Sequence, residues 1–386
     1  MPPLKGNQST SRTLNRLLLL NHLRRHGPTA RSDIAAAIGL SPAAISYVSS
    51  ELLEQRVIVE VEAAAGDGRR RMTRLDLNYS GHLSLGVKLM ERNLRATITD
   101  LGTNVIDTIT AEVDARAPEA VAEATAAALD RLLQRSGEDR ARLIGIGLAM
   151  PGQHDAERGV CRRCDRFGWK DVPIAELISE RAGVPAWVDN DVNAFALAEH
   201  LFGAGRQASS LAVLSFGRGI GAAMIVDGQL LRGRYGGAGE IGHVTVVEGG
   251  PRCECGRLGC LEAVSSLPAI LNAYGMLRPS DRPIEPAALA ALAADGDPVA
   301  REILDTAGRR LGAVAGTFAT LFDPETMVIG GEGVMFGPAL LDPLVATLKE
   351  KNFQRDTEVF VEFWNDDAWA RGAAALAIDS FFSIPS

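Results

Sequence analysis

The 386-residue sequence contains no apolar run long enough to span a bilayer. Its first residues, M-P-P-L-K-G-N-Q-S-T, lack the apolar stretch of a signal peptide, so the expected location is the cytoplasm, with no membrane partner. No short-period repeat recurs and no long low-complexity linker interrupts the chain. Cysteine is scarce. The five thiols fall into two groups, Cys161 with Cys164, and Cys253 with Cys255 and Cys260. Three clustered thiols with no secretory signal argue against a disulfide framework and suit a metal in a reducing compartment. What is plentiful is apolar surface, 46% of residues, enough for a sizeable core. The length exceeds one ordinary domain, and two or three are expected. The net charge of −8 is uneven. Residues 1–80 hold 11 Lys+Arg against 7 Asp+Glu, a net of +4, and the remainder carries −12. Only the N-terminal head therefore has the sign to approach a polyanion.

The most informative stretch runs from Gly237 to Glu262. G-A-G-E-I-G-H is followed by V-T-V-V-E-G-G-P-R and then C-E-C-G-R-L-G-C-L-E. His243, Cys253, Cys255 and Cys260 offer one imidazole and three thiols, the ligand set of a closed structural zinc site. Gly256 and Gly259 allow the tight turn that lets three sulfurs face one ion. The alternative, free cysteines and a histidine filling a core, fits poorly with Cys-x-Cys-x4-Cys set among glycines.

Residues 13–26 read as a helix with leucines on one face, stopped by Gly27-Pro28. A short helix, Arg31 to Ile38, ends at Gly39. A third is capped by Ser41 with Pro42 in its first turn, burying Ile45, Val48 and Leu52 or Leu53. Its outward face, Ala43, Ala44, Ser46, Tyr47, Ser49 and Ser50, is small and polar enough to enter a major groove. The strand-like runs 57–61 and 72–77 flank a tip, G-D-G-R-R-R, whose Arg69, Arg70 and Arg71 would lie along phosphates or a minor groove. Together these elements resemble a winged helix-turn-helix, with Ser41, Ala43, Ser46 and Tyr47 as base readers. The alternative is a small helical cap with a solvated arginine loop.

Beyond Gly81 strands and helices alternate. The G-x-x-G-E-x-G-H segment, with His243 ten residues before the first cysteine of C-x-C-G-x2-G-C-x-E, resembles the zinc segment of the ROK family (repressors, open reading frames and sugar kinases). The resemblance covers about residues 82–386. It implies an α/β fold: a two-lobed, actin-like (ribonuclease-H-like) ROK domain around a cleft, following the winged head. The domains expected are 1–80 for the head, 81–200 for a first lobe completed by a C-terminal helix at 366–386, and 201–365 for a second lobe holding the zinc segment. W-V-D-N-D-V-N-A-F-A-L-A-E resembles the family's N-D-x-N segment, whose asparagine and aspartate grip sugar hydroxyls, and this places Asn190 and Asp191 there. The resemblance adds Gly152, Glu240, His243 and Glu262 to the sugar wall. Asp191 would be the general base in a kinase. Read from the residues alone, Asn190 and Asp191 are equally an Asx pair capping a helix.

The phosphate motifs are altered. Where family kinases carry D-x-G-G-T, this chain has Lys88 near the aspartate position and Met90, Glu91 and Arg92 where small residues belong. Where they carry G-T-G-x-G, it has Gly217, Arg218, Gly219 and Gly221. Gly330 and Gly331 resemble the adenosine-side pair, which can equally be a strand packing closely on a helix. Cys161-x-x-Cys164 is read as two incidental thiols in a loop, a redox pair or second metal being the alternative.

These features resemble the repressor branch of the family, whose regulators answer to acetamido sugars or xylose. They imply a sugar-responsive regulator of double-stranded operator DNA. It would act as a homodimer or dimer of dimers, with structural Zn2+ and no ATP. The competing expectation is an ATP-dependent sugar kinase with a DNA-binding head.

Overall fold

The computed structural model describes residues 8–62, 73–280, 282–354, 356–364 and 366–383. The chain divides into two compact units, residues 1–189 with 370–386, and residues 190–369.

The first unit opens with α1 (Gln8–His26), β1 (Thr29–Ala30), α2 (Arg31–Ile38), α3 (Pro42–Glu54), β2 (Ile58–Glu62) and β3 (Thr73–Leu77). The leucine stripe of α1 buries Leu17, Leu20 and Leu23. Ser41 caps α3 by accepting a hydrogen bond from the Ala44 amide at 3.2 Å, and Pro42 occupies the first turn, as the sequence requires. β1, β3 and β2 form a three-stranded antiparallel sheet, so helix, helix, helix and hairpin follow in the winged helix-turn-helix order. Arg69, Arg70 and Arg71 lie outside the described residues. One expectation fails here. Ser49 is fully buried rather than outward, because its hydroxyl accepts from Arg31 Nε at 3.2 Å and donates to the Ser46 carbonyl at 3.2 Å.

The same unit continues with β4 (Leu83–Leu89), β5 (Asn93–Asp100), β6 (Val105–Glu112), α4 (Pro118–Ser136), β7 (Leu143–Met150), β8 (Gln153–Asp155), β9 (Val160–Cys164), β10 (Trp169–Val172), α5 (Ile174–Ala182) and β11 (Ala186–Asn190). Its main sheet has the order β11-β7-β4-β5-β6, with β4–β5–β6 an antiparallel meander and β7 parallel to β4. Leu83, Leu85, Val87 and Leu89 alternate along β4 and pack with α4 and α5 residues into one core. The other face of β4 and β7 is made of small residues. Ser84 Oγ donates to the Ala374 carbonyl at 3.2 Å, and a Cβ on Gly147 would stand 1.8 Å from the Ala373 carbonyl oxygen. The C-terminal helix, α12 (Asp366–Phe382), can lie this close because it too presents alanines. Its end also reaches the head: Asn21 Nδ2 donates to the Phe382 carbonyl at 2.8 Å, and the Phe381 ring lies 5.2 Å from His82.

Cys161 and Cys164 sit on strand β9, not in a loop, paired to Val172 and Trp169 of β10. Burial, followed by the neighbouring Cys164, pushes the Cys161 thiol up to about 12, and burial also raises Cys164. Thiols held protonated in a core are poor nucleophiles and poor ligands.

The second unit contains α6 (Asp191–Phe202), β12 (Leu211–Phe216), β13 (Ile220–Val226), β14 (Gln229–Leu230), α7 (Leu261–Ser265), α8 (Leu267–Leu277), α9 (Pro286–Ala294), α10 (Pro298–Phe322), β15 (Thr326–Gly330), α11 (Pro338–Lys351) and β16 (Glu358–Val361). Its sheet order is β14-β13-β12-β15-β16. β12–β13–β14 is again an antiparallel meander, with β15 parallel to β12. The two sheets thus share one design, which is the α/β architecture the sequence implied. Helix α6, expected with the first lobe, falls in the second unit. No single described helix is long and apolar enough to cross a membrane.

The close approach of α12 to β7 yields a test. Gly147→Ala forces a methyl into a backbone carbonyl and should cost about 1–3 kcal/mol. Urea unfolding should show a lowered midpoint with an unchanged slope; an unchanged midpoint would contradict the packing described.

Candidate functional site

The segment from Gly239 to Glu262 has little regular structure, and its position is fixed by backbone contact with β13. The Ala222 amide donates to the Gly239 carbonyl at 2.8 Å, and a Cβ on Gly239 would lie 1.9 Å from the Ala222 carbonyl oxygen. Only glycine permits that approach, and Gly239 also adopts φ +86°. Past His243 the chain doubles back through isolated bridges, Thr245 with Cys260 and Arg252 with Leu258. Gly259, at φ +69°, takes the turn against the Val247 carbonyl.

This folding brings together His243, Cys253, Cys255 and Cys260, whose ligand atoms all lie within 4.8 Å of one another. Cys253 Sγ is 3.5 Å from His243 Nδ1, and Cys255 Sγ is 3.7 Å from Cys260 Sγ. Ligands on a tetrahedron with bonds of about 2.3 Å to sulfur and about 2.0 Å to nitrogen stand roughly 3.5–3.8 Å apart. A disulfide would need about 2.05 Å. The spacing therefore fits four ligands of one tetrahedral ion. The Arg257 backbone amide, and then its guanidinium, bring the Cys255 thiol down to about 6, favouring the thiolate that a metal requires. Arg257 lies inside the motif, yet its residue type and spacing carry no signal of this role.

The same loop carries Glu240 and Glu262, two of the carboxylates expected to meet a sugar. Glu240 Oε2 lies 3.8 Å from His243 Nε2, so the ring can face the thiols with one nitrogen and Glu240 with the other. Partial desolvation raises the Glu240 carboxyl above its ordinary range; His243 opposes this, while Glu262 and Asp191 add to it. Asp191, Glu240, His243 and Glu262 are therefore electrostatic neighbours within the second unit. Glu262 is fixed by the Ile220 amide, which donates to its Oε2 at 3.0 Å. Asn190 caps α6, its Oδ1 accepting from the Val192 amide at 2.9 Å, while Asp191 Oδ1 accepts from the same amide at 3.0 Å. The capping alternative is thus realised. Gly152 belongs to the first unit, where φ +114° and the nearby Arg163 carbonyl suit glycine alone.

At the tip of the β4–β5 hairpin the Met90 amide donates to the Asn93 carbonyl at 2.9 Å. Glu91 and Arg92 line a groove of about 750 Å³ with Glu112, Asp114, Arg116 and Arg166. Three cations face three anions there, and Glu91 lies 3.8 Å from Arg166. A balanced groove of this kind is not a phosphate cradle built from small residues.

The chain thus joins a helix-turn-helix head to a duplicated α/β body that carries a His/Cys cluster beside carboxylates. The ROK family model matches residues 85–380, and the chain belongs to the ROK family. It is 26% identical to a xylose repressor of Caldicellulosiruptor bescii over 98% of this chain and 99% of the relative. The crystal structure of a ROK family transcriptional regulator, a homologue of the E. coli MLC protein, superposes with a TM-score of 0.83 at 27% identity, covering 96% of this chain and 97% of that one. A ROK glucokinase from Streptomyces griseus, solved with glucose and AMPPNP, gives a TM-score of 0.66 at 28% identity, covering 76% of this chain and 98% of that one.

Elemental analysis of freshly purified protein should find one tetrahedral-type metal ion per chain, and Cys255→Ser should lose it. Wild type with no bound metal would contradict the assignment of these four residues.

Proposed function

We propose that this chain is a cytoplasmic, sugar-responsive transcriptional repressor that binds double-stranded operator DNA as a homodimer or dimer of dimers. The observation that carries this reading is the joining, in one chain, of a winged head to a body whose carboxylates lie beside a four-residue His/Cys cluster. We assign zinc to that cluster, as a structural ion held by His243, Cys253, Cys255 and Cys260, because one imidazole and three thiolates form a closed set with no open position for substrate.

Recognition helix α3 presents Ser41, Ala43, Ser46 and Tyr47 to solvent. Ser46 Oγ donates to the Pro42 carbonyl at 2.8 Å, which leaves its lone pairs to accept from the amino group of adenine or cytosine. Tyr47 is 58% exposed with the Arg12 guanidinium 5.2 Å from its ring centre, so a cation accompanies the aromatic ring. The wing arginines 69–71 supply phosphate contacts that hold position without reading sequence.

A sugar or sugar derivative is taken by Asn190, Asp191, Glu240, His243 and Glu262, all within the second unit. Carboxylates suit this role because charge-assisted hydrogen bonds to hydroxyls are stronger than neutral ones. The name of the Caldicellulosiruptor relative supports a sugar effector, and its length matches this chain almost fully. The rival reading is a kinase with Asp191 as base. The charged tip of the β4–β5 hairpin weighs against it.

Thermal melts with a panel of sugars and sugar phosphates, each with and without Mg-ATP, test the proposal. One sugar class at a hundredfold excess over its dissociation constant should add about 2.7 kcal/mol, with Mg-ATP changing nothing. Asp191→Asn should weaken that sugar at least tenfold, about 1.4 kcal/mol, without loss of metal. A melt raised by Mg-ATP together with sugar-dependent turnover would replace the proposal with the kinase.

A further inference from the structure

The turn between β12 and β13, Gly217-Arg218-Gly219, stands at the carboxyl end of β12, beside the carboxyl end of the parallel strand β15. In open α/β sheets ligands bind outside the carboxyl ends of strands, and a glycine turn that exposes successive amides is a ready anion cradle. In this chain the residues after β15 fold back over that turn. A Cβ on Gly331 would stand 2.5 Å from the Phe216 carbonyl oxygen, and one on Gly333 would stand 2.2 Å from the Phe216 ring. Between them, Glu332 is brought onto Gly217, where a Cβ would lie only 1.7 Å from its Oε2. At the far end of the turn Glu262 Oε2 accepts from the Ile220 amide. The turn is therefore flanked by a carboxylate at each end.

The two carboxylates differ in what holds them. Glu262 has a backbone donor and belongs to the sugar wall. Glu332 is exposed and forms neither a hydrogen bond nor an ion pair among the described residues, so the fold does not use its charge. A negative side chain resting on a glycine turn repels any further anion that approaches the same backbone. The glucokinase solved with AMPPNP shows that this fold can carry a nucleotide analogue, and its identity with this chain is 28%.

We propose that Glu332 is a built-in anion that denies the β12–β13 turn to the polyphosphate of a nucleotide. The inference rests on the reading of the chain as a regulator, and it names the residue that separates sugar binding from nucleotide binding in the second unit. The close glycine packing of the turn is kept, and a carboxylate is set at each end of it.

The test is calorimetric titration of Mg-ADP into full-length wild type, Glu332→Gln and Glu332→Ala, with thermal melts to verify folding. The glutamine variant keeps the size and removes the charge. Wild type should show no saturable binding at millimolar nucleotide, and both variants should bind at least tenfold more tightly than wild type. Variants as silent as wild type would overturn the proposal, as would a gain in the alanine variant without one in the glutamine variant, which would assign the effect to bulk. Saturable Mg-ADP binding by wild type itself is a separate result that undermines the regulator reading. The difference between variant and wild type still decides the role of Glu332.

Discussion

The proposed hydroxyl-binding wall depends on one constraint: a chain of about two dozen residues with almost no helix or strand has to hold two acidic side chains, Glu240 and Glu262, and a histidine in fixed places. Loops of this kind are ordinarily the least ordered parts of a domain. Here the loop is fixed at both ends by chemistry that tolerates little movement. At its start, Gly239 lies against the backbone of β13. At its close, four ligand atoms converge within 4.8 Å, in a geometry that one tetrahedral ion satisfies. His243 belongs to both systems, with Nδ1 beside Cys253 and Nε2 facing Glu240. The position of the Glu240 carboxylate is thereby tied to the His/Cys cluster through a single imidazole ring.

The second organising feature is the duplicated sheet. Each unit has a three-stranded meander with a parallel strand set beside its first member, so each places loops at equivalent strand ends. The units have diverged at those ends. The first has a charge-balanced hairpin tip, and the second has a glycine turn flanked by carboxylates. The duplication is not visible as a sequence repeat, because sheet topology depends on the period-two apolar pattern and not on residue identity.

Much of this is legible in the amino-acid sequence alone. The Ser41 cap and Pro42 set the start of α3, and Gly27, Gly39 and Gly259 mark turns that all adopt positive φ. The His/Cys cluster is readable because metal-ligand chemistry restricts residue type and spacing together. Other features are hidden for physical reasons. Ser49 looks like a surface residue by type, and only the approach of Arg31 from α2 shows that it is buried. Cys161-Arg162-Arg163-Cys164 carries two charges and has its thiols three apart, out of step with a period-two strand pattern, so it reads as loop, and only the pairing of β9 with β10 reveals the strand. Arg257 and Glu332 act through contacts made by the fold, Glu332 with a residue more than a hundred positions away, which no local pattern encodes.

The central claim is that sugar occupancy and DNA affinity are linked in one molecule. Linkage requires that the effector bind the DNA-competent and DNA-incompetent states with different affinity, and ordinary couplings are about 5–150-fold. The most direct measurement is fluorescence anisotropy of a labelled duplex from the region upstream of the protein's own gene, titrated with the full chain with and without the sugar that stabilises it. The account predicts saturable binding that weakens steeply with salt, prefers this duplex to a scrambled one, and changes at least fivefold when the sugar is added. Equal affinity for both duplexes, or an affinity that a bound sugar leaves unchanged, would contradict it.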